Sequence, residues 1–279
     1  MNIIEDITEM HNYIMELRRE GLTIGLVPTM GALHQGHLSL MELAKRETDI
    51  VIVSIFVNPT QFGPKEDFKE YPRDLKADTE KAASAAIDTL FLPSASAMYP
   101  EGFGTFVEAE GLSRIMCGET RPMHFRGVTT VVLKLFNIVR PHKAFFGQKD
   151  FQQTVVIKRM AQDLNSGVDV IVYPTVREED GLAMSSRNRY LNKDERMGAT
   201  VLYRSLKEAK GLFESGERSA ERLKNEITGM IADEVLVQIE YIVIAHPETL
   251  LEEQEAHTGT VISLAARIGK TRLIDNIIL

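Results

Sequence analysis

Thr23-Ile24-Gly25-Leu26-Val27-Pro28-Thr29-Met30-Gly31-Ala32-Leu33-His34-Gln35-Gly36-His37-Leu38 is the stretch on which the reading of the fold turns. A short apolar run closes on Pro28 and Gly31, and a helical pattern follows as far as Arg46. Strand, tight turn and helix in that order bring a helix N-terminus to the end of a strand. The first N–H groups there lack intrahelical partners and the macrodipole is positive, so the point suits an anion such as phosphate. His34 and His37, three apart, share one face of the helix. Gly36 between them has no Cβ and lets a flat or bulky ligand come against the backbone. The competing readings are a polar pair without a ligand, and zinc. Zinc needs a third ligand and favours His-Glu-x-x-His spacing, and neither is near.

Farther along, residues 49–57 form a nearly continuous apolar run. A strand buried on both faces looks like this, and such strands belong to parallel sheets. Residues 58–64 make a loop by their Pro and Gly. An amphipathic helix is expected over 3–19, closed by Gly21, and further helices over 75–86, 127–139 and 151–164. Strands are expected over 89–92, 143–146 and 168–173, the last stopping at Pro174. Residues 93–125 read as irregular and long enough to carry function. Alternating strands and helices predict an α/β fold with a doubly wound, parallel, Rossmann-like sheet. Ligands bind such sheets beyond the carboxyl ends of the strands. The polar stretches 29–37, 58–61, 147–150 and the one after Tyr173 all fall there.

Residues 175–190 read as a hinge whose hydroxyls and arginines suit phosphate clamping, or else as a solvated linker. Asn192 and Glu195 form a capping box opening a helix to about residue 215, and a second helix covers 219–234. Residues 237–245, 260–266 and 271–277 alternate like a small antiparallel sheet. The chain thus divides into a larger domain, 1–174, and a smaller C-terminal α+β lid domain, 175–279. Gly269-Lys270-Thr271 is no P-loop, because Leu264 stands where its first Gly belongs and no helix follows. Gly102-x-Gly104 lacks the third Gly of a dinucleotide fingerprint.

The 279 residues carry a net charge of −8, which argues against general nucleic-acid binding. Cys117 is the one cysteine, so no internal disulfide can form, and a reducing compartment is expected. The N-terminus has no basic, then apolar, secretory pattern, and no apolar run approaches the ~20 residues of a membrane span. A cytoplasmic protein with no membrane and no nucleic-acid partner is the expectation.

The stretch Pro28-Thr29-Met30-Gly31-Ala32-Leu33-His34-x-Gly36-His37 resembles the His-x-Gly-His signature of the nucleotidylyltransferase and class I aminoacyl-tRNA synthetase superfamily. Its wording is similar to that of the pantothenate synthetase (pantoate–β-alanine ligase) family. So are Ser54-Ile55-Phe56-Val57-Asn58-Pro59-x-Gln61-Phe62, Tyr71-Pro72-Arg73, Phe145-Phe146-Gly147-x-Lys149-Asp150-x-Gln152-Gln153, and the run from Pro174 through Arg177, Gly181 and Met184-Ser185-Ser186-Arg187-Asn188. These matches cover the first two-thirds of the chain in order; the last third is similar in size and pattern alone. The resemblance implies that ATP, (R)-pantoate and β-alanine become pantothenate, AMP and pyrophosphate through a pantoyl-adenylate. It implies an ATP site of Met30, Gly31, Ala32, Leu33, His34, Gln35, Gly36 and His37, then Gly147, Gln148, Lys149 and Asp150, then Val176, Met184, Ser185, Ser186 and Arg187. Gln61 and Gln153 would hold pantoate, with Thr29, Met30 and Asn58 beside them. A homodimer and Mg2+ are implied as well, with Asp78 as a metal-side acid. Gln148 departs from the Glu of many relatives.

A carboxylate is already ionised near neutral pH, so its attack on phosphorus needs no strong base. The need is for donors that meet charge building on phosphoryl oxygens. His34, His37, Lys149, Ser185 and Arg187 are the candidates, with His37 also able to pass a proton. Gln61 and Gln153 offer donor and acceptor on one amide without adding charge. An adenylate hydrolyses readily, so a lid that excludes water is expected. The alternatives are a nucleotidylyltransferase of the same fold acting on a phosphorylated acceptor, and a non-catalytic nucleotide sensor or RNA binder.

Overall fold

The computed structural model describes residues 1–64 and 66–279, and the chain falls into two compact units. The first comprises Met1–Arg114, Gly118–Gly147 and Val156–Tyr173. Its elements begin with β1 (Asn2–Ile4), α1 (Ile7–Arg19), β2 (Ile24–Thr29), α2 (Gln35–Glu47), β3 (Ile50–Ile55), α3 (Leu75–Ser84) and β4 (Thr89–Phe91). The single turns α4 (Ala95–Met98) and α5 (Cys117–Thr120) follow. Then come α6 (His124–Val139), β5 (Lys143–Gly147), α7 (Phe151–Asp163), of which the residues from Val156 on belong to this unit, and β6 (Asp169–Tyr173).

The six strands run in the order β1-β4-β3-β2-β5-β6, with every pairing parallel. Side chains alternate across a strand, and the strands accordingly feed two cores. Ile24, Leu26, Ile52, Phe91, Ala144 and Phe146 enter one, while Val27, Val51, Val53, Leu90 and Phe145 enter the other. The first core also takes Met10, Ile14 and Leu17 of α1, spaced as one helix face. The second takes Leu40, Met41 and Ala44 of α2 and Ala82 of α3.

The expected helix over 3–19 starts later. The Asp6 carboxylate accepts the Glu9 N–H at 2.9 Å and opens α1 at Ile7. Residues Asn2–Ile4 instead pair with Thr89–Phe91 as an edge strand. A strand this short shows no periodicity of its own in the sequence.

The second unit comprises Ile115–Cys117, Gln148–Val155 and Pro174–Leu279. It holds α8 (Lys193–Ala199), α9 (Val201–Glu214), α10 (Ala220–Ala232), β7 (Val237–Ala245), β8 (Val261–Ile268) and β9 (Thr271–Ile278). The three strands are antiparallel in the order β7-β8-β9. Leu202, Leu206, Leu223, Ile227, Ile242, Ile262 and Leu264 are among those filling its core. The capping box forms: Asn192 accepts from Glu195 N–H, and Glu195 accepts from Asn192 N–H, both at 2.9 Å. The single helix expected to residue 215 is broken at Thr200, whose hydroxyl donates to the Met197 carbonyl at 2.8 Å.

Residues 176–184 are not a solvated linker. Met184 N–H donates to Val176 O, and Glu178 N–H to Leu182 O, both at 2.9 Å, which folds 176–184 into a tight hairpin. Leu182 and Ala183 are buried at 2% and 3% exposure, so the hairpin belongs to the packed part of the unit.

Candidate active site

In the six-stranded sheet the chain leaves β2 toward β3 and β4, then returns to β5 on the other side of β2. The strand order therefore reverses between β2 and β5, and the carboxyl ends of those two strands are where such a sheet receives a ligand. Thr29 ends β2 there. Its hydroxyl donates to Ser54 O at 2.9 Å and accepts Gly31 N–H at 3.2 Å. The Asp78 carboxylate accepts the N–H groups of Ala32 and Leu33 at 2.8 and 2.7 Å, and Lys81 Nζ donates to Leu33 O at 2.7 Å. Asp78 and Lys81 lie one turn apart on α3, so a single helix face grips the loop from both polarities. Gly31 has φ +81, and a Cβ on it would lie 2.8 Å from Asp78 Oδ2 and 3.1 Å from Ile55.

This bears on two expectations. The N–H groups of Gly31, Ala32 and Leu33 are spent inside the protein, so the N–H groups offered by this turn are those of Gln35 and Gly36, the first residues of α2. Asp78, expected beside a metal, is 2% exposed and works as the clamp of the loop. His34 is the N-cap of α2, its N–H donating to His37 Nδ1 at 3.2 Å, and the two rings lie 4.1 Å apart. An N–H aimed at Nδ1 needs a lone pair there, which puts the proton of the neutral His37 ring on Nε2. Among the described residues no group of three or more His, Cys, Asp or Glu could hold a metal ion.

Gln61 sits in a short turn, Pro59–Gln61, after β3. Its Oε1 accepts from Asn58 Nδ2 at 3.0 Å, and its Nε2 donates to the Met30 sulfur at 3.1 Å. Asn58 is 1% exposed; it donates to Gly127 O at 3.1 Å and accepts from Tyr99 OH at 2.8 Å. Burial raises the Tyr99 pKa and keeps the phenol a donor. The turn lies hard against α6: a Cβ on Gly127 would be 2.5 Å from Thr60 O. Gln61 O accepts from Arg121 Nη2 at 3.3 Å and meets His124 Nδ1 at 2.9 Å, and Arg121 also pairs with Glu66. The Gln61 side chain is thus held in place, with a thioether, a weak acceptor, on its amide nitrogen.

In the second unit, the turn Gln148–Asp150 precedes α7. Asn276 Nδ2 donates to Gln148 O at 2.9 Å and Lys149 O at 3.0 Å, and its Oδ1 accepts from Gln148 Nε2 at 3.1 Å. The adjacent Asp275 accepts both arms of Arg177, at 2.6 and 2.9 Å, and the Asn276 N–H at 2.8 Å. Burial pushes the Asp275 carboxyl up and Arg177 opposes it; three donors on two oxygens suit the ionised form. Arg177 also lies 3.6 Å over the Tyr203 ring and donates to Gly181 O at 3.1 Å. Arg196 reaches Glu178 and Asp180, each at 2.8 Å, and holds the Glu178 carboxyl below its usual range. Ser185 caps the turn Ser186–Tyr190 by accepting Arg187 N–H at 3.3 Å. Gln152, next to the singled-out Gln153, is structural: it accepts from Cys117 N–H at 3.1 Å and donates to Ile115 O at 2.7 Å.

The family model described as pantoate-beta-alanine ligase matches residues 2–278. The chain belongs to the pantoate–β-alanine ligase family. It is 55% identical over 278 residues to the pantothenate synthetase of Heliobacterium modesticaldum, covering 100% of this chain and 99% of that one. The pantothenate synthetase of Moorella thermoacetica is 50% identical over 279 residues, with the same coverages of 100% and 99%. The crystal structure of pantothenate synthetase from Thermus thermophilus superposes with a TM-score of 0.94 at 45% identity, covering 99% of both chains. Pantoate-beta-alanine ligase from Francisella tularensis gives 0.82 at 38% identity, covering 100% of this chain and 97% of that one. The likeness extends through the C-terminal third, where the sequence motifs had stopped.

The chain is therefore an enzyme, and its fold is the parallel sheet with a small antiparallel one that the sequence implied. The readings as nucleotidylyltransferase, sensor or RNA binder draw no support. No helix among the described residues is long and apolar enough to cross a membrane. Within the first unit the structure gathers Thr29, Met30, His34, His37, Asn58 and Gln61 near the carboxyl ends of β2 and β3. Within the second it ties Gln148 and Lys149 to β9, and Val176 and Met184 to each other. Sequence reasoning missed Lys81, Arg121, Asp275 and Asn276. Only the pair Asp275-Asn276 inside an alternating strand signalled anything, as polar residues where apolar ones belong.

Proposed function

We propose that the enzyme condenses (R)-pantoate with β-alanine at the expense of ATP. A pantoate carboxylate oxygen attacks the α-phosphorus, the bond to the β-phosphate bridging oxygen breaks, and pyrophosphate leaves. The β-alanine amine then attacks the acyl carbon, the bond to AMP breaks, and the amine loses its proton. The family match across residues 2–278 carries this reading. The Francisella tularensis relative, described as complexed with beta-gamma ATP and beta-alanine, agrees with it.

In this proposal ATP is held by residues 30–37, 147–150, Val176 and 184–187. The N–H groups of Gln35 and Gly36 and the positive end of α2 face phosphate charge. His34, His37, Lys149, Ser185 and Arg187 meet the charge of the transition state. Gln61 exchanges its weak sulfur acceptor for a pantoate oxygen, with Gln153, Asn58, Thr29 and Met30 completing the substrate set. Magnesium, when bound, would offset phosphate charge without a carboxylate from Asp78, which is committed to main-chain donors. A lid role for the second unit, a homodimer and a cytoplasmic location belong to the same proposal.

The test is exchange of labelled pyrophosphate into ATP. It should require pantoate and proceed without β-alanine, while net AMP release should require the amine. Exchange that ignores pantoate, or AMP release that the amine does not speed, would overturn the proposal.

A further inference from the structure

β9 is the last strand of the chain, yet two of its adjacent side chains serve segments far away in sequence. Successive side chains on a strand point to opposite faces, so neighbouring residues can hold one segment on each face. Asn276 does this on one side: its amide nitrogen donates to two consecutive carbonyls, Gln148 O and Lys149 O, while its oxygen accepts the Gln148 amide. Asp275 does it on the other, taking the Arg177 fork, and Arg177 in turn donates to Gly181 O inside the 176–184 hairpin. Both residues are 2% exposed. The Asn276 N–H donates to the Asp275 carboxylate, which links the two grips.

We propose that Asp275 and Asn276 are positioning residues for the reaction, setting Lys149 through its own carbonyl and the Val176–Arg187 segment through Arg177. The proposal rests on the assignment of Lys149 and Arg187 to the transferring phosphoryl group. Asn is suited to the first task. An amide provides two donors and an acceptor in one plane without charge, so it can bridge two carbonyls while leaving the electrostatics to Lys149. Asp is suited to the second, because a bidentate fork fixes the plane of Arg177 as well as its distance.

The experiment is a double-mutant cycle on pantoate-dependent pyrophosphate exchange in the full-length enzyme. Asn276→Ala is expected to lower kcat about tenfold or more, with little change in the KM for pantoate, and Lys149→Ala about 10²-fold. In the Lys149→Ala background, Asn276→Ala should add less than twofold, because there is then no ammonium left to position. Asn276→Ser, which cannot span both carbonyls, serves if the alanine variant does not fold, and it should lose kcat in the same way. Full multiplication of the two losses, or unchanged kcat in both Asn276 variants, overturns the proposal. Near-normal exchange in Lys149→Ala alone overturns instead the assignment on which it rests.

Discussion

His37 turns Nδ1 to the His34 main chain, so in the proposed mechanism Nε2 is the nitrogen whose proton serves a phosphoryl oxygen. Replacing it by Ala is expected to cut pyrophosphate exchange about 10²-fold, the usual worth of one positioned donor. Asn can keep the main-chain bond through its oxygen but has no second nitrogen. His37→Asn should therefore be as inactive as His37→Ala yet melt closer to the parent; retained exchange in His37→Asn would remove the donor role. His142 makes a purely structural version of the same bond, accepting Ile24 N–H at Nδ1 over 2.9 Å. Burial, aided by Arg18, lowers its pKa from 6.5, so the fold prefers the neutral ring. A base depressed in the folded state contributes stability above its unfolded pKa and loses it as pH falls through the folded one. The melting temperature should thus drop on acidification below about 6.5, and His142→Asn, an acceptor that does not titrate, should remove that part of the drop. An identical slope in both proteins would show that His142 does not matter to it. The His34-x-x-His37 pair was legible in the sequence because its partners are three residues apart. Asn276 was not, because its acceptors lie 128 and 127 residues away.

The β2–α2 loop shows what a motif conceals at the level of the element. Strand, turn and helix were readable from Pro28, Gly31 and the pattern after His34. The clamp was not, since Asp78 lies 46 and 45 residues, and Lys81 48 residues, from the loop groups they hold. The same limit applied to Glu178-Glu179-Asp180-Gly181, which reads as part of a hinge or a solvated linker until Arg196 is seen to hold two of its carboxylates. If Asp78 is the clamp, Asp78→Ala leaves two buried N–H groups without acceptors. The expected cost is about 1–3 kcal/mol for each unsatisfied group, seen in denaturant unfolding without nucleotide or metal. A steeper magnesium requirement with no loss of stability would instead return Asp78 to the metal-side role.

At the scale of the whole chain, the parallel sheet and the small antiparallel one were both legible, because strand and helix periodicities differ and Pro174 separates their runs. The makeup of the second unit was not. Ile115–Cys117 and Gln148–Val155 belong to it although they lie inside the sequence of the first, and no local pattern records which unit a short segment joins. In the proposed mechanism that membership has a consequence: Lys149 relies on the core of the second unit rather than on the sheet it follows. Leu206 is fully buried in that core, and Leu206→Ala should cost about 2–5 kcal/mol. On warming, the variant should lose pyrophosphate exchange while the amides of β2, β3 and β5 are still protected, with β7, β8 and β9 exchanging first. Hydrogen exchange followed by mass spectrometry reads both sheets in one sample. Simultaneous loss of protection in both would mean that the units unfold as one, and that Lys149 is no more exposed to damage in the second core than His37 is.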